Sequence, residues 1–232
     1  MRTTALTLFV FFALSLTCSG AIIFTTDFES GAPPEVLGAG GLVSVAGFPA
    51  PVGLGSLAWQ NDLDGNPALA TVISLTGLGP HTWLRVNFDF IAFDSWDGLD
   101  PTYGPDYLNL SIGASNLYFS VTNFPANIED GGVSGPYNFG TLGRAFSDGT
   151  SYGGNPDWAD SVWRMGFDIP HTASTAVLSF YASGAGWQGF SDESFGLDNI
   201  VVETDAIPEP TSLLLLGTGL GVIGLAAWRR RK

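Results

Sequence analysis

Between residues 22 and 206 this chain is never far from a backbone breaker. Gly, Pro, Asn, Asp or Ser falls every ten residues or so, and apolar and polar residues alternate in the gaps. A two-residue period builds a strand with one buried face. No stretch shows a convincing period of about 3.6 residues with capping signals, as a helix would. The pattern predicts an all-β fold, an antiparallel β-sandwich or jelly roll. The span 22–206 is the right length for one large all-β domain.

The clearest strand runs over Thr82–Phe93. Polar Arg85, Asn87 and Asp89 alternate there with apolar Leu84, Val86, Phe88 and Phe90. One face is therefore core, and the other meets solvent or a second layer. Further strands are read at 22–28, 42–45, 68–75, 162–169, 176–182 and 195–203. Tyr107–Ile112 and Leu117–Thr122 read as a hairpin over Gly113–Asn116. Residues 124–160 carry the loop markers Gly131-Gly132, Gly135-Pro136, Asp148-Gly149 and Gly153-Gly154. A loop region of that length is more often functional, or a lid, than inert.

The charge balance narrows the choice of partners. Arg2, Arg229, Arg230, Arg231 and Lys232 lie at the chain ends. Residues 22–206 keep only Arg85, Arg144 and Arg164 against 21 acids, an excess of 18 negative charges, and contain no lysine. Nucleic acid is excluded as a partner, since phosphate binding needs clustered Lys and Arg. An acidic surface favours solubility and also attracts divalent cations. Both readings stay open.

The two ends are targeting segments. Met1-Arg2, apolar Ala5–Leu16 and small, uncharged Thr17–Ala21 lay out a secretory signal helix over residues 1–21, removed by signal peptidase. Ser19-Gly20-Ala21 fits a cleavage site before Ile22, and a cut after Gly20 is equally acceptable. Cys18 raises a lipoprotein reading, but Ser15-Leu16-Thr17-Cys18 lacks the usual leucine three residues earlier. With Cys18 gone, the mature domain has no cysteine and needs no disulfide.

At the C-terminus, Pro208-Glu209-Pro210 is held extended by its prolines. Thr211–Trp228 is uncharged and near the lower length limit for a transmembrane helix. Arg229–Lys232 is a basic cluster of the kind that stays cytoplasmic. In this order, residues 207–232 resemble the PEP-CTERM sorting signal of Gram-negative bacteria. The resemblance implies that an exosortase-type enzyme processes the chain at Pro208, Glu209 and Pro210. It implies transient anchoring in the inner membrane, then passage to the cell surface or extracellular matrix. It also implies an exopolysaccharide and biofilm setting. An ordinary single-pass anchor is the alternative.

Two acidic segments carry the most chemistry. Asp94, Asp97, Asp100 and Asp106 lie in a turn-rich loop after the clearest strand. Hard calcium ions take carboxylate and carbonyl oxygens, and turns at Gly98, Pro101, Gly104 and Pro105 let these carboxylates converge. The spacing is not that of an EF-hand, and turn aspartates satisfying local backbone NH groups are the plainer reading. Asp192 and Glu193 precede the final strand, and Asp198-Asn199 lie within it. A cation near Asp27 and Glu29, or the backbone of the first strand, would satisfy them.

Gly79-Pro80-His81-Thr82, Ser95-Trp96-Asp97-Gly98, Gly104-Pro105-Asp106 and Asp192–Asn199 resemble a module of secreted bacterial proteins. The resemblance spans roughly residues 55–203. The module is similar to carbohydrate-binding jelly rolls, in which a structural calcium is frequent, and it implies no reaction. Trp96, Trp158 and Trp187 sit in Gly- and Asp-rich loops and are candidate glycan contacts. The carboxylate pairs Asp192–Glu193 and Asp97–Asp106 are the candidates for a glycoside hydrolase. No Gly-x-Ser-x-Gly elbow is present, and His81 and His171 read as turn residues. The favoured reading is a non-enzymatic exported surface or matrix protein, with polysaccharide as candidate ligand and calcium as candidate structural ion. A polysaccharide-acting hydrolase and a purely structural matrix protein are the alternatives.

Overall fold

Strands account for nearly all the regular structure. The computed structural model describes residues 20–45, 55–61, 67–94, 96–120, 133–134, 143–147, 161–189 and 192–205, with isolated residues of the tail. Among the described residues the strands are β1 (Ala21–Thr26), β2 (Val36–Gly38), β3 (Gly41–Ser44), β4 (Leu57–Asn61), β5 (Thr71–Thr76), β6 (Trp83–Asp94), β7 (Tyr107–Ile112), β8 (Ser115–Phe119), β9 (Val133–Ser134), β10 (Gly143–Ser147), β11 (Ser161–Pro170), β12 (Thr175–Ser183) and β13 (Glu193–Thr204). They form two antiparallel sheets in a sandwich-like arrangement. The larger has the order β10-β11-β6-β13-β4-β3, with β1 also on β13. The smaller runs β2-β5-β12-β7-β8-β9.

Alternation fixes which side chains enter the core. Leu84, Val86, Phe88 and Phe90 of β6 point inward with Phe167 of β11, and meet Phe119 of β8 and Phe180 of β12. Phe88 packs edge-on against Phe180 at 5.2 Å, and Phe90 against Phe119 at 5.6 Å, so the two sheets interlock through aromatic rings. Each fully buried ring contributes about 1.5–3 kcal/mol of transfer free energy. The far end of β6 breaks the alternation because both faces are covered. There Ile91 and Phe93 join Val45, Ala58 and Val162 in a second, small cluster.

β13 changes neighbour partway along. Phe195–Leu197 pair with β4, and residues 200–204 pair with β1 on the same side. On its other side β13 runs along β6, with a register shift between Asp198 and Val201. Asn199 takes a positive φ of 47° at this bulge.

The structure corrects several sequence expectations. The β7–β8 connection is the two-residue turn Gly113-Ala114, with Ile112 opposite Ser115, rather than a four-residue loop. Gly113 has φ of 59°, which such a tight turn requires of its first residue. Short β2 and β4 were not expected. Within 124–160, β9 and β10 supply strands, and the remainder lies outside the described residues. β1 begins at Ala21, opposite Thr204. A cut after Gly20 leaves this pair whole, and one before Ile22 removes it.

Residues Gly20–Ile207 form one compact unit. The signal helix and most of the tail lie outside the described residues. Gly217, Gly219, Leu220, Gly221, Ile223 and Ala227–Arg229 are helical. Among the described residues no helix is long and apolar enough to cross a membrane, so the expected span is not observed.

Candidate functional site

Three strands of the larger sheet carry a groove of about 570 Å³ on its outer face. Cross-strand pairing sets its rows. Asp168, Arg85 and Glu203 stand level on β11, β6 and β13. Arg164, Asp89 and Asp198 form the next-but-one row. Between them Gly166 lies beside Asn87, and with no side chain there the row stays open.

The groove is a network of paired polar groups. Arg85 binds Asp168 through two bonds, Nε to Oδ1 at 2.6 Å and Nη2 to Oδ2 at 2.7 Å. Its guanidinium also lies 5.2 Å from the ring centre of Trp83. Arg164 Nε reaches Asp89 Oδ1 at 3.4 Å, and Asn199 Nδ2 donates to Asp89 Oδ2 at 2.9 Å. Burial raises the Asp89 pKa, against the lowering effect of Asn199 and Arg164. The bulge at Asn199 thus turns its amide into the groove. Of these residues only Asp198 and Asn199 stand out in the sequence, as polar groups of the last strand rather than as part of a groove. The available signal was that two of the domain's three arginines sit at polar positions of long strands.

A second centre lies inside the fold. Asp97 and Asp106 bound the loop between β6 and β7, and Glu193 opens β13. One carboxylate oxygen from each lies within 4.8 Å of the other two. Asp106 and Glu193 are 0% exposed and Asp97 6%. Asp106 Oδ2 accepts the Asp97 backbone NH at 2.7 Å, while its Oδ1 has no partner. Glu193 Oε2 accepts the Gln188 NH at 2.7 Å, while its Oε1 has none. Burial, with mutual repulsion and the charge of Asp192, pushes Asp106 up to about 7. Burial, then Asp100 and Asp192, raise Asp97 to about 6. Burial raises Glu193 to about 8, with Asp106 and Asp97 adding to it.

A third acidic group sits where β13 changes neighbour. Asp198 is fully buried, with Oδ1 on the Asn199 NH at 2.7 Å and Oδ2 unpartnered. Burial, then the charges of Asp89, Asp27 and Glu29, raise it to about 7. Glu29 Oε1 accepts the NH groups of Ser56 at 2.5 Å and Leu57 at 2.8 Å, and Asp27 Oδ1 accepts that of Glu29 at 3.2 Å.

The remaining candidates fall as follows. Asp100 caps its own turn, with Oδ1 on the NH groups of Thr102 and Tyr103, and stays out of the triad. Asp192 raises Asp97 and Asp106 by its charge, and Glu193 is the residue that enters the triad. Asp94 lies opposite Glu193 in the ladder, and its side chain is outside the described residues. Trp96 is 0% exposed, packed against Phe90 at 5.1 Å, with Nε1 bonded to the Ser194 carbonyl at 2.7 Å. It offers no face to a glycan. Half-buried Trp187 leans on Trp96 at 5.1 Å. Trp158, Pro208, Glu209 and Pro210 lie outside the described residues. The acid pairs considered for hydrolysis do not flank an open cleft: Asp97 touches Asp106 inside the fold, and Asp192–Glu193 split between rim and interior.

No curated protein matches this chain. Among solved structures, it is similar to the CBM22-1 xylan-binding domain of Paenibacillus barcinonensis Xyn10C. That match has 12% identity and a TM-score of 0.42, covering 82% of this chain and 98% of that one. It is similar also to the K3 cleaved adhesin domain of Lys-gingipain from Porphyromonas gingivalis, at 11% identity, TM-score 0.38, and coverage of 80% and 99%. The K2 cleaved adhesin domain of Lys-gingipain matches at 16% identity, TM-score 0.34, and coverage of 77% and 96%. Residues 206–232 match the PEP-CTERM protein-sorting motif, which implies processing by an exosortase and marks an exported chain with a membrane-anchoring sorting tail.

Proposed function

We propose that this is a non-enzymatic cell-surface or matrix protein that binds an uncharged polysaccharide in the groove of its larger sheet. The groove is the observation that supports the reading. It presents amide, guanidinium and carboxylate groups from three strands, held in place by one another. Such arrays donate to and accept from sugar hydroxyls without large rearrangement. Its two arginines and three acids nearly cancel, so no strong charge is required of the ligand. A polyanionic glycan is disfavoured by the domain's excess of 18 acidic charges. Calcium belongs to this reading as a structural ion. The sorting tail supports delivery to the outside, where polysaccharide is the abundant polymer.

The test is affinity electrophoresis of the full chain in mild detergent through gels cast with neutral or acidic polysaccharides. A neutral glycan should retard the wild type, and Asn87→Ala with Arg164→Ala should abolish the retardation while the near-UV circular dichroism stays native. Absence of retardation by every glycan, or retardation unchanged in the double variant, would refute the groove.

A further inference from the structure

We propose that Asp97, Asp106 and Glu193 bind a calcium ion that fastens the β6–β7 loop to the start of β13. The geometry carries this. Three residues from two distant parts of the chain bring carboxylate oxygens within 4.8 Å of one another in the interior. Asp106 and Glu193 each hold one oxygen with a backbone NH, and Asp106 Oδ1 and Glu193 Oε1 are left with no donor. An unsatisfied buried carboxylate oxygen is costly, and two beside a third acid more so.

Among the described residues no cationic side chain meets them. Residues 22–206 contain no lysine, and the two arginines with described side chains, Arg85 and Arg164, are engaged in the groove. All the available ligand atoms are oxygens, which selects a hard divalent ion. Magnesium gives up its waters reluctantly and demands a near-ideal octahedron. A site whose most exposed member is 6% accessible therefore suits calcium better. The sorting tail sends the chain outside, where millimolar calcium loads even weak sites of extracellular modules.

The surroundings are built for close approach. Gly184, at φ of 149°, and Gly186 let the β12–β13 connection lie directly on the carbonyls of Pro105 and Tyr103. That connection also supplies the Gln188 NH to Glu193. An ion at the triad would draw together the β6–β7 loop, the β12–β13 connection and the first residue of β13. The inference is independent of the groove, which lies on the outer face of the sheet and shares no residue with the triad.

Terbium serves as the probe, because it replaces calcium and emits when excited through a nearby tryptophan. Trp96 adjoins Asp97 in sequence and Trp187 packs edge-on against Trp96. With the full chain in mild detergent, tryptophan excitation should give terbium emission that calcium displaces and equal magnesium does not. Asp106→Asn and Glu193→Gln should each cut that emission and weaken calcium binding by more than about tenfold. Equilibrium dialysis should then count one calcium fewer per chain. Asp198→Asn, in the separate acidic group, should leave the emission unchanged. No calcium bound at millimolar concentration, or emission and count unchanged in both triad variants, overturns the site. If Glu193→Gln fails to fold by near-UV circular dichroism, the isosteric Asp106→Asn decides alone.

Discussion

His81 Nε2 and His171 Nδ1 share a hydrogen bond of 2.7 Å, joining the segment before β6 to the segment after β11. His81 Nδ1 also meets the Gly79 carbonyl at 2.6 Å, and a carbonyl can only accept, so that nitrogen carries a proton. One proton then suffices between the rings. Burial first, and then the neighbouring His81, hold the His171 pKa below the usual 6.5. The unfolded chain therefore takes up a proton before the folded one does as pH falls. The contribution of His171 to stability is complete above about pH 6.5 and is lost below it. The buried carboxylates, whose pKa values are raised, titrate with the opposite sign. The histidine effect should thus appear as a difference: on going from pH 7.5 to 5, the melting temperature of His171→Gln should rise relative to that of the wild type.

Thr71 is a second place where one side chain holds several elements. Its hydroxyl donates to the Ala39 carbonyl at 2.9 Å and accepts from Trp59 Nε1 and Asn61 Nδ2, each at 3.1 Å. Thr71→Val keeps the shape and removes three hydrogen bonds, while Trp59 Nε1 keeps the Ala39 carbonyl at 3.3 Å and Asn61 Nδ2 keeps the Leu69 carbonyl at 3.0 Å. Urea unfolding should show a loss of about 1–3 kcal/mol, the net worth of the lost bonds.

Gly184 separates steric need from backbone freedom. A Cβ there would collide with the Pro105 carbonyl, whereas one at Gly77, also at positive φ, meets nothing within 4 Å. Gly77→Ala should cost about 1 kcal/mol from its conformation alone. Gly184→Ala should cost clearly more, and should weaken calcium binding besides, because the β12–β13 connection must lift. Paired urea titrations check the first point and calcium titrations the second.

The tail makes a prediction about location. Replacing Pro208, Glu209 and Pro210 with alanine should leave the uncleaved chain in the membrane fraction, where the wild type yields a shorter, released form. Immunoblots of membrane and medium fractions read this directly.

The sequence was most informative where a residue's role depends on its own neighbours. Arg85, Asn87 and Asp89 alternate with Leu84, Val86 and Phe88, and that local rule placed β6 to within a residue or so. Residues 162–169 and 176–182 extend by only one residue at each end in β11 and β12. Features set by pairing were hidden. β4 has no pattern of its own and exists because Trp59 lies opposite Leu197. Glu193 joins Asp97 and Asp106 across some ninety residues, so spacing within the loop points to Asp100 instead. Trp96 was read as exposed because Gly and Asp surround it. Its indole turns inward to meet Phe90 and the Ser194 carbonyl, a contact no local rule reveals.

The partner of β6, β1 and β4 alike is β13, and it is the final strand to be synthesised. A polypeptide threading through a bilayer from its N-terminus cannot close the larger sheet until residue 204 has emerged. Only one residue then separates it from the sorting motif at 206–232. Maturation is thereby given a fixed sequence of events. The domain is in one piece, and able to finish assembling, before any protease can cut it loose.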